Sequence, residues 1–129
     1  TKTTPAARAR AIQWMFAALN SVEPFVMQIP LIDIFHKNEE WAKLRRPSAV
    51  EFIQNRLKGL STSLGDKSFL DGDVFTAGDL IMCTVLRILE NTDIVTSDPR
   101  LNAYVERCTA RPAFKRALDA QLGDFRGAA

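Results

Sequence analysis

The chain has 129 residues, 47% of them hydrophobic and 25% charged, with a formal net charge of +2. That is the balance of one folded globular domain, long enough for one core and not comfortably for two. So small a charge, carried by scattered basic residues without an interleaved aromatic stripe, excludes a typical nucleic-acid binder. The densest basic stretch, Lys43-Leu44-Arg45-Arg46, reads as a solvated loop or helix end. His36 is the only histidine, and neither Cys83 nor Cys108 belongs to a CxxC or Cys/His pattern. A zinc site or a Ser-His-Asp triad therefore has little to work with, and no metal is expected. The cysteines read as a pair of reduced core or near-core thiols of a cytoplasmic protein, with an unsupported structural disulfide as the alternative. Thr1-Lys2-Thr3-Thr4-Pro5 carries no apolar signal-peptide core. The missing initiator Met suits a processed or trimmed piece.

In chain order, Thr4-Pro5 reads as an N-cap followed by a first-turn proline. Ile12, Met15, Phe16, Leu19 and Val22 recur at helical spacing and predict an inward stripe. Arg10, Trp14, Ala17 and Ser21 then fall on the far side. Trp14 would there pack on a neighbouring loop or helix, or meet something outside the bundle. Pro24 and Pro30 interrupt an apolar segment, predicting a kinked or broken helical continuation to about His36. Residues 36–40 are the first polar break, and Trp41–Arg46 reads as a turn or partial helix. Pro47-Ser48-Ala49-Val50-Glu51 predicts a fresh helix capped by Ser48, with Val50, Ile53, Leu57, Leu60 and Leu64 buried. Gly65 is its left-handed stop. Asp66–Asp73 is a loop with Phe69-Leu70 tucked in.

Thr76-Ala77-Gly78-Asp79 predicts a capping box, with Asp in place of the usual Glu. Asp79 also meets the positive end of the helix dipole. From Leu80 to Leu89 the only charge is Arg87, so the helix reads as apolar nearly all round and buried. The run ends at Glu90, short of the roughly 20 residues of a membrane span, and no membrane role is expected. Asp98-Pro99 opens another helix, lined by Leu101, Tyr104, Val105 and Cys108. Arg111-Pro112 starts the last, with Phe114, Ala117, Leu118 and Leu122 inward, a stop at Gly123 and a tail over Asp124–Ala129. No strand, internal repeat or phosphate loop is apparent. The expected fold is all-α, an orthogonal or up-down bundle of five to six helices around one buried helix, in a single domain over 1–129.

Two stretches carry a resemblance. Leu70-Asp71-Gly72-Asp73-Val74-Phe75-Thr76-Ala77-Gly78-Asp79 resembles the capping-box entry of the glutathione transferase C-terminal domain. Pro99–Phe114, with Leu101, Tyr104, Arg107 and Arg111-Pro112-Ala113-Phe114, is similar to that family's signature near the C-terminus. Arg8–Trp14 is similar to the domain's first helix in bacterial members. The resemblance implies a glutathione S-transferase whose helical domain shapes the hydrophobic electrophile site and part of a homodimer interface. Glutathione is then the co-substrate, attacking as a thiolate. The family's catalytic Ser, Tyr or Cys belongs to a thioredoxin-like domain that these 129 residues lack. No catalytic residue is therefore expected in this chain, and the chain alone should bind glutathione poorly. By position the resemblance points to Arg10, Trp14 and Asn20 as pocket or interface residues: Arg10 meeting an acid or anionic ligand, Trp14 walling an apolar pocket. Thr76 and Asp79 are implied to be structural. An apolar patch around Trp14 and Phe25 predicts self-association. The competing reading is a non-catalytic interaction module on the same fold, since relatives without thiol chemistry share these motifs.

Overall fold

The computed structural model describes residues 3–127. Five helices follow one another: α1 Pro5–Phe35, α2 Glu40–Leu64, α3 Ala77–Arg87, α4 Pro99–Ala110 and α5 Pro112–Gly127. The described residues contain no strand; one isolated bridge pairs Phe69 with Gly72. The fold is all-α. α3 lies between α1 and α4, α2 pairs with α1, and α5 packs on α4.

Thr4 caps α1, its hydroxyl accepting the Ala7 N–H at 3.2 Å. The rod then passes Pro24 and Pro30 without breaking, because its turns widen beside them. Ala17–Val22 and Leu31–Phe35 are π-helical. Glu23 N–H reaches back to the Ala18 carbonyl, and His36 N–H to the Leu31 carbonyl at 3.0 Å. Among the described residues this rod is the one helix long and apolar enough to cross a membrane. Its inner side, Ala18, Val22, Val26, Ile29 and Ile32, is buried in the bundle.

That inner side differs from the predicted stripe. Ile12, Phe16 and Leu19 are exposed, Phe16 at 61%, whereas Trp14 packs against the core. The reason is size. Gly78 of α3 lies so close to α1 that a Cβ there would stand 2.5 Å from the Trp14 Cβ and 3.4 Å from the Ala11 carbonyl. Approach this tight demands small residues at the crossing, and Ala11, Ala18 and Gly78 supply them. Phe25 also packs down, stacked on Phe52 of α2 at 6.2 Å between ring centroids. The exposed apolar side chains of α1 are thus Ile12, Phe16 and Leu19 and, farther along, Met27, Leu31, Ile34 and Phe35, and not Trp14 and Phe25.

α2 begins seven residues before Pro47, not after it, and carries that proline inside. Ser48 is consequently no cap: its hydroxyl donates to the Arg45 carbonyl at 3.0 Å. What stabilises the early turns is the basic stretch read as solvated. Arg46 grips Asp33 through two hydrogen bonds of 2.8 and 2.9 Å, and Arg45 donates to Gln28 at 2.9 Å. Both acceptors lie on α1, so the cations fasten the two helices. At the junction Glu39 accepts from the Trp41 indole and lies 2.7 Å from His36 Nδ1. The His36 contact first, and the indole second, hold the Glu39 carboxyl below its ordinary range. Ile53, Leu57, Leu60 and Leu64 are buried, and Gly65 ends the helix at φ 56°.

α3 buries Met82, Cys83, Val85 and Leu86, followed by Leu89 in the turn beyond it. It is not apolar-covered all round: Leu80 is 51% exposed. The connection to α4 buries Ile94 and Val95. Asp98 caps α4, accepting the N–H groups of Arg100 and Leu101 at 3.0 Å each. α5 departs from expectation twice. It runs through Gly123 to Gly127, and none of its residues is fully buried; Ala117 and Leu122 are exposed. The last two residues of the predicted tail lie outside the described residues.

Candidate functional site

The N-terminal end of α3 gathers the polar groups of the core. A capping box joins Thr76 and Asp79. Asp79 Oδ2 accepts the Thr76 N–H at 2.8 Å and the Thr76 hydroxyl at 3.1 Å. The Thr76 oxygen accepts the Gly78 N–H at 3.2 Å. Asp79 Oδ1, on the other side, accepts the Leu70 N–H at 2.9 Å and the Tyr104 hydroxyl at 3.0 Å. One fully buried carboxyl thus ties the preceding loop, the cap and α4 to α3. Every buried donor aimed at it is satisfied, as burial of polar groups requires. Burial foremost, then the neighbouring Cys108 and Asp79, pushes the Tyr104 phenol far up, so it stays a donor. Tyr104 and Leu70 were invisible as Asp79 partners in the sequence. Only the 25-residue and nine-residue separations closed by packing bring them there.

Arg10, Trp14 and Asn20 do not form one site. Arg10 pairs with Asp71 in the loop before α3, through Nε at 2.5 Å and a second bond at 3.3 Å. It lines a cavity of about 630 Å³ together with Thr4, Arg8, Asp71, Val74 and Ala77. Trp14, one turn on, sits at the crossing over Gly78. Asn20 lies exposed beyond Phe16 and Leu19. No group of His, Cys, Asp and Glu among the described residues is arranged to hold a metal ion.

A second cavity, about 270 Å³, opens between α3, α4 and α5. Its lining is apolar: Phe75, Leu80, Phe114 and Ala117, with Cys83, Cys108 and Arg111. Arg111 stacks over Phe75, 3.4 Å from its centroid, and Arg87 over Phe114 at 4.9 Å. Both thiols, read from sequence as a reduced pair in or near the core, lie on its wall.

The chain matches the family model for the glutathione S-transferase C-terminal domain over residues 22–112. It belongs to that family. Solved structures agree on the fold. A glutathione transferase from Burkholderia graminis, solved with two glutathione molecules bound per subunit, aligns with TM-score 0.81 at 24% identity, over 92% of this chain. A glutathione transferase from Populus trichocarpa aligns with TM-score 0.67 at 22% identity, over 86% of this chain. This transferase domain spans only about half of each: 52% of the first chain and 55% of the second.

Proposed function

We propose that this domain is the helical half of a glutathione transferase, supplying the wall of a hydrophobic electrophile site and part of a homodimer interface. A thioredoxin-like domain of the same parent protein would hold glutathione and lower its thiol pKa. The thiolate would then attack a soft electrophile held against the helices, as a conjugation or a glutathione-dependent reduction in the cytoplasm. The observation that carries this reading is the family membership of a chain that spans half its solved relatives.

The surface supports it by leaving two things unfinished. The cavity beside Arg10 has walls from the start of α1 and from residues 71–77, and is open for a further domain to complete. Arg10, paired with Asp71 on that cavity's wall, would exchange this partner for an anionic group of the ligand. The apolar strip of Ile12, Phe16 and Leu19, with Asn20 at its edge, suits a second copy. Trp14 serves both indirectly, as the wedge that fixes the α1–α3 crossing.

The deciding assay is turnover of an aryl halide with glutathione by the gene product that contains this chain. Turnover, with Arg10→Ala raising KM more than it lowers kcat, is the expected result. No turnover and no retention on immobilised glutathione would reject the enzyme reading in favour of a docking module on the same fold.

A further inference from the structure

We propose that Cys83 and Cys108 are a redox-active dithiol, which a small hydroperoxide converts to an intramolecular disulfide joining α3 to α4. They are the chain's only two cysteines, 25 residues apart, on two different helices. Packing brings both to the lining of one cavity. Across that cavity each sulfur is the first influence on the other's acidity. Both residues are otherwise closed off, at 4% and 2% exposure. Their route to solvent is the cavity itself, past exposed Leu80 and Ala117.

The surroundings divide the labour between the two sulfurs. The neighbouring Cys108 foremost, with the positive charges of Arg87 and Arg111, draws the Cys83 thiol down and makes it the nucleophile. The neighbouring Cys83, then burial, push Cys108 up, so it keeps its proton until a partner needs it. The cavity, about 270 Å³, is smaller than the roughly 300–1,000 Å³ of drug-sized ligand sites. It therefore suits a small oxidant, and resolution by the neighbouring thiol over a mixed disulfide with a bulky one.

The reaction has two steps. The Cys83 thiolate attacks one oxygen of the hydroperoxide, the O–O bond breaks, and Cys83 becomes a sulfenic acid. The departing alkoxide takes a proton from solvent and leaves as an alcohol, or as water where the oxidant is hydrogen peroxide. Cys108 then loses its proton and attacks the Cys83 sulfur. The S–S bond forms as the hydroxyl departs with that proton as water. Two thiols are oxidised by two electrons and one peroxide is reduced.

The test treats the reduced chain with hydrogen peroxide and follows thiol content, intact mass and the peptide map. Both thiols should vanish together, the mass should fall by two hydrogens, and the map should link the Cys83 and Cys108 peptides. Dithiothreitol should reverse all three. In Cys108→Ala, dimedone should trap a sulfenic acid on Cys83. In Cys83→Ala, loss of the remaining thiol should be about tenfold slower. Oxygen gained without a cross-link, thiols lost one after the other, or a link only between two chains would overturn the proposal. The unsubstituted protein alone gives the thiol, mass and cross-link readouts, so the test holds even where a variant fails to fold.

Discussion

Asp79 shows how one residue can hold three parts of a domain together. Its carboxyl accepts from the backbone of the cap, the cap hydroxyl, the preceding loop and Tyr104. Removing it leaves several buried donors without partners, each costing about 1–3 kcal/mol. Asp79→Ala should therefore lose ~3 kcal/mol or more, a large share of a typical domain's 5–15 kcal/mol. Thr76→Ala removes one cap and should cost about 1 kcal/mol. Tyr104→Phe removes one hydrogen bond and should cost about 1–2 kcal/mol. Denaturant midpoints check the ranking; equal shifts for Asp79 and Thr76 would mean that the loop and Tyr104 bonds contribute nothing. Gly78 is the second residue to watch. Alanine is the better helix former by about 1 kcal/mol, yet its Cβ would meet that of Trp14 at 2.5 Å. Gly78→Ala should destabilise by about 1–3 kcal/mol through overpacking. A raised midpoint would show that the helices can separate at no cost.

At the scale of an element, Pro24, Pro30 and Pro47 do not end the helices they lie in. Pro24 and Pro30 sit beside widened turns, and Pro47 lies inside α2. The turns around Pro47 are held from outside: Arg45 and Arg46 fasten them to Gln28 and Asp33 of α1. A proline inside a helix crowds the carbonyl four residues back and supplies no N–H to it. Pro47→Ala should raise the unfolding midpoint, by about 1–3 kcal/mol of stability. A fall would mean that the bend itself is required for α2 to reach α1. α3 gives the opposite expectation. Leu86 is buried to 1% exposure, and Leu86→Ala should cost about 2–5 kcal/mol by opening a cavity. A loss under about 1 kcal/mol in equilibrium unfolding would show that α3 is not the centre of the core.

For the molecule as a whole, the question is what covers Ile12, Phe16 and Leu19. An apolar strip on the outer side of α1 is a liability in water unless another surface meets it. Phe16 is 61% exposed and projects from the middle of that strip. The chain should therefore self-associate with rising concentration in analytical ultracentrifugation, and Phe16→Glu should return it to a monomer. A monomer at every concentration would remove this strip as a dimer interface and leave it for another domain. α5 is the other loosely attached part, since none of its residues is fully buried and Phe125 is 72% exposed.

The sequence determined what is local. The Thr76–Asp79 box, the Asp98 cap, the left-handed Gly65 and the apolar run of α3 each depend on residues within a turn of one another. Their physics is complete in a short window. So the all-α class and the family were readable from motifs that lie along single segments. Tertiary structure decided what depends on distance. It chose the inner side of α1 by the room at the Gly78 crossing, where hydrophobicity alone favoured the side with Ile12 and Phe16. It carried α2 through Pro47 because Asp33 and Gln28, on another helix, stabilise its first turns. It brought Tyr104 to Asp79, and Cys108 to Cys83, across 25 residues of chain. Such pairings leave no period or spacing to read, because they are settled only when whole helices choose which of their sides to press together.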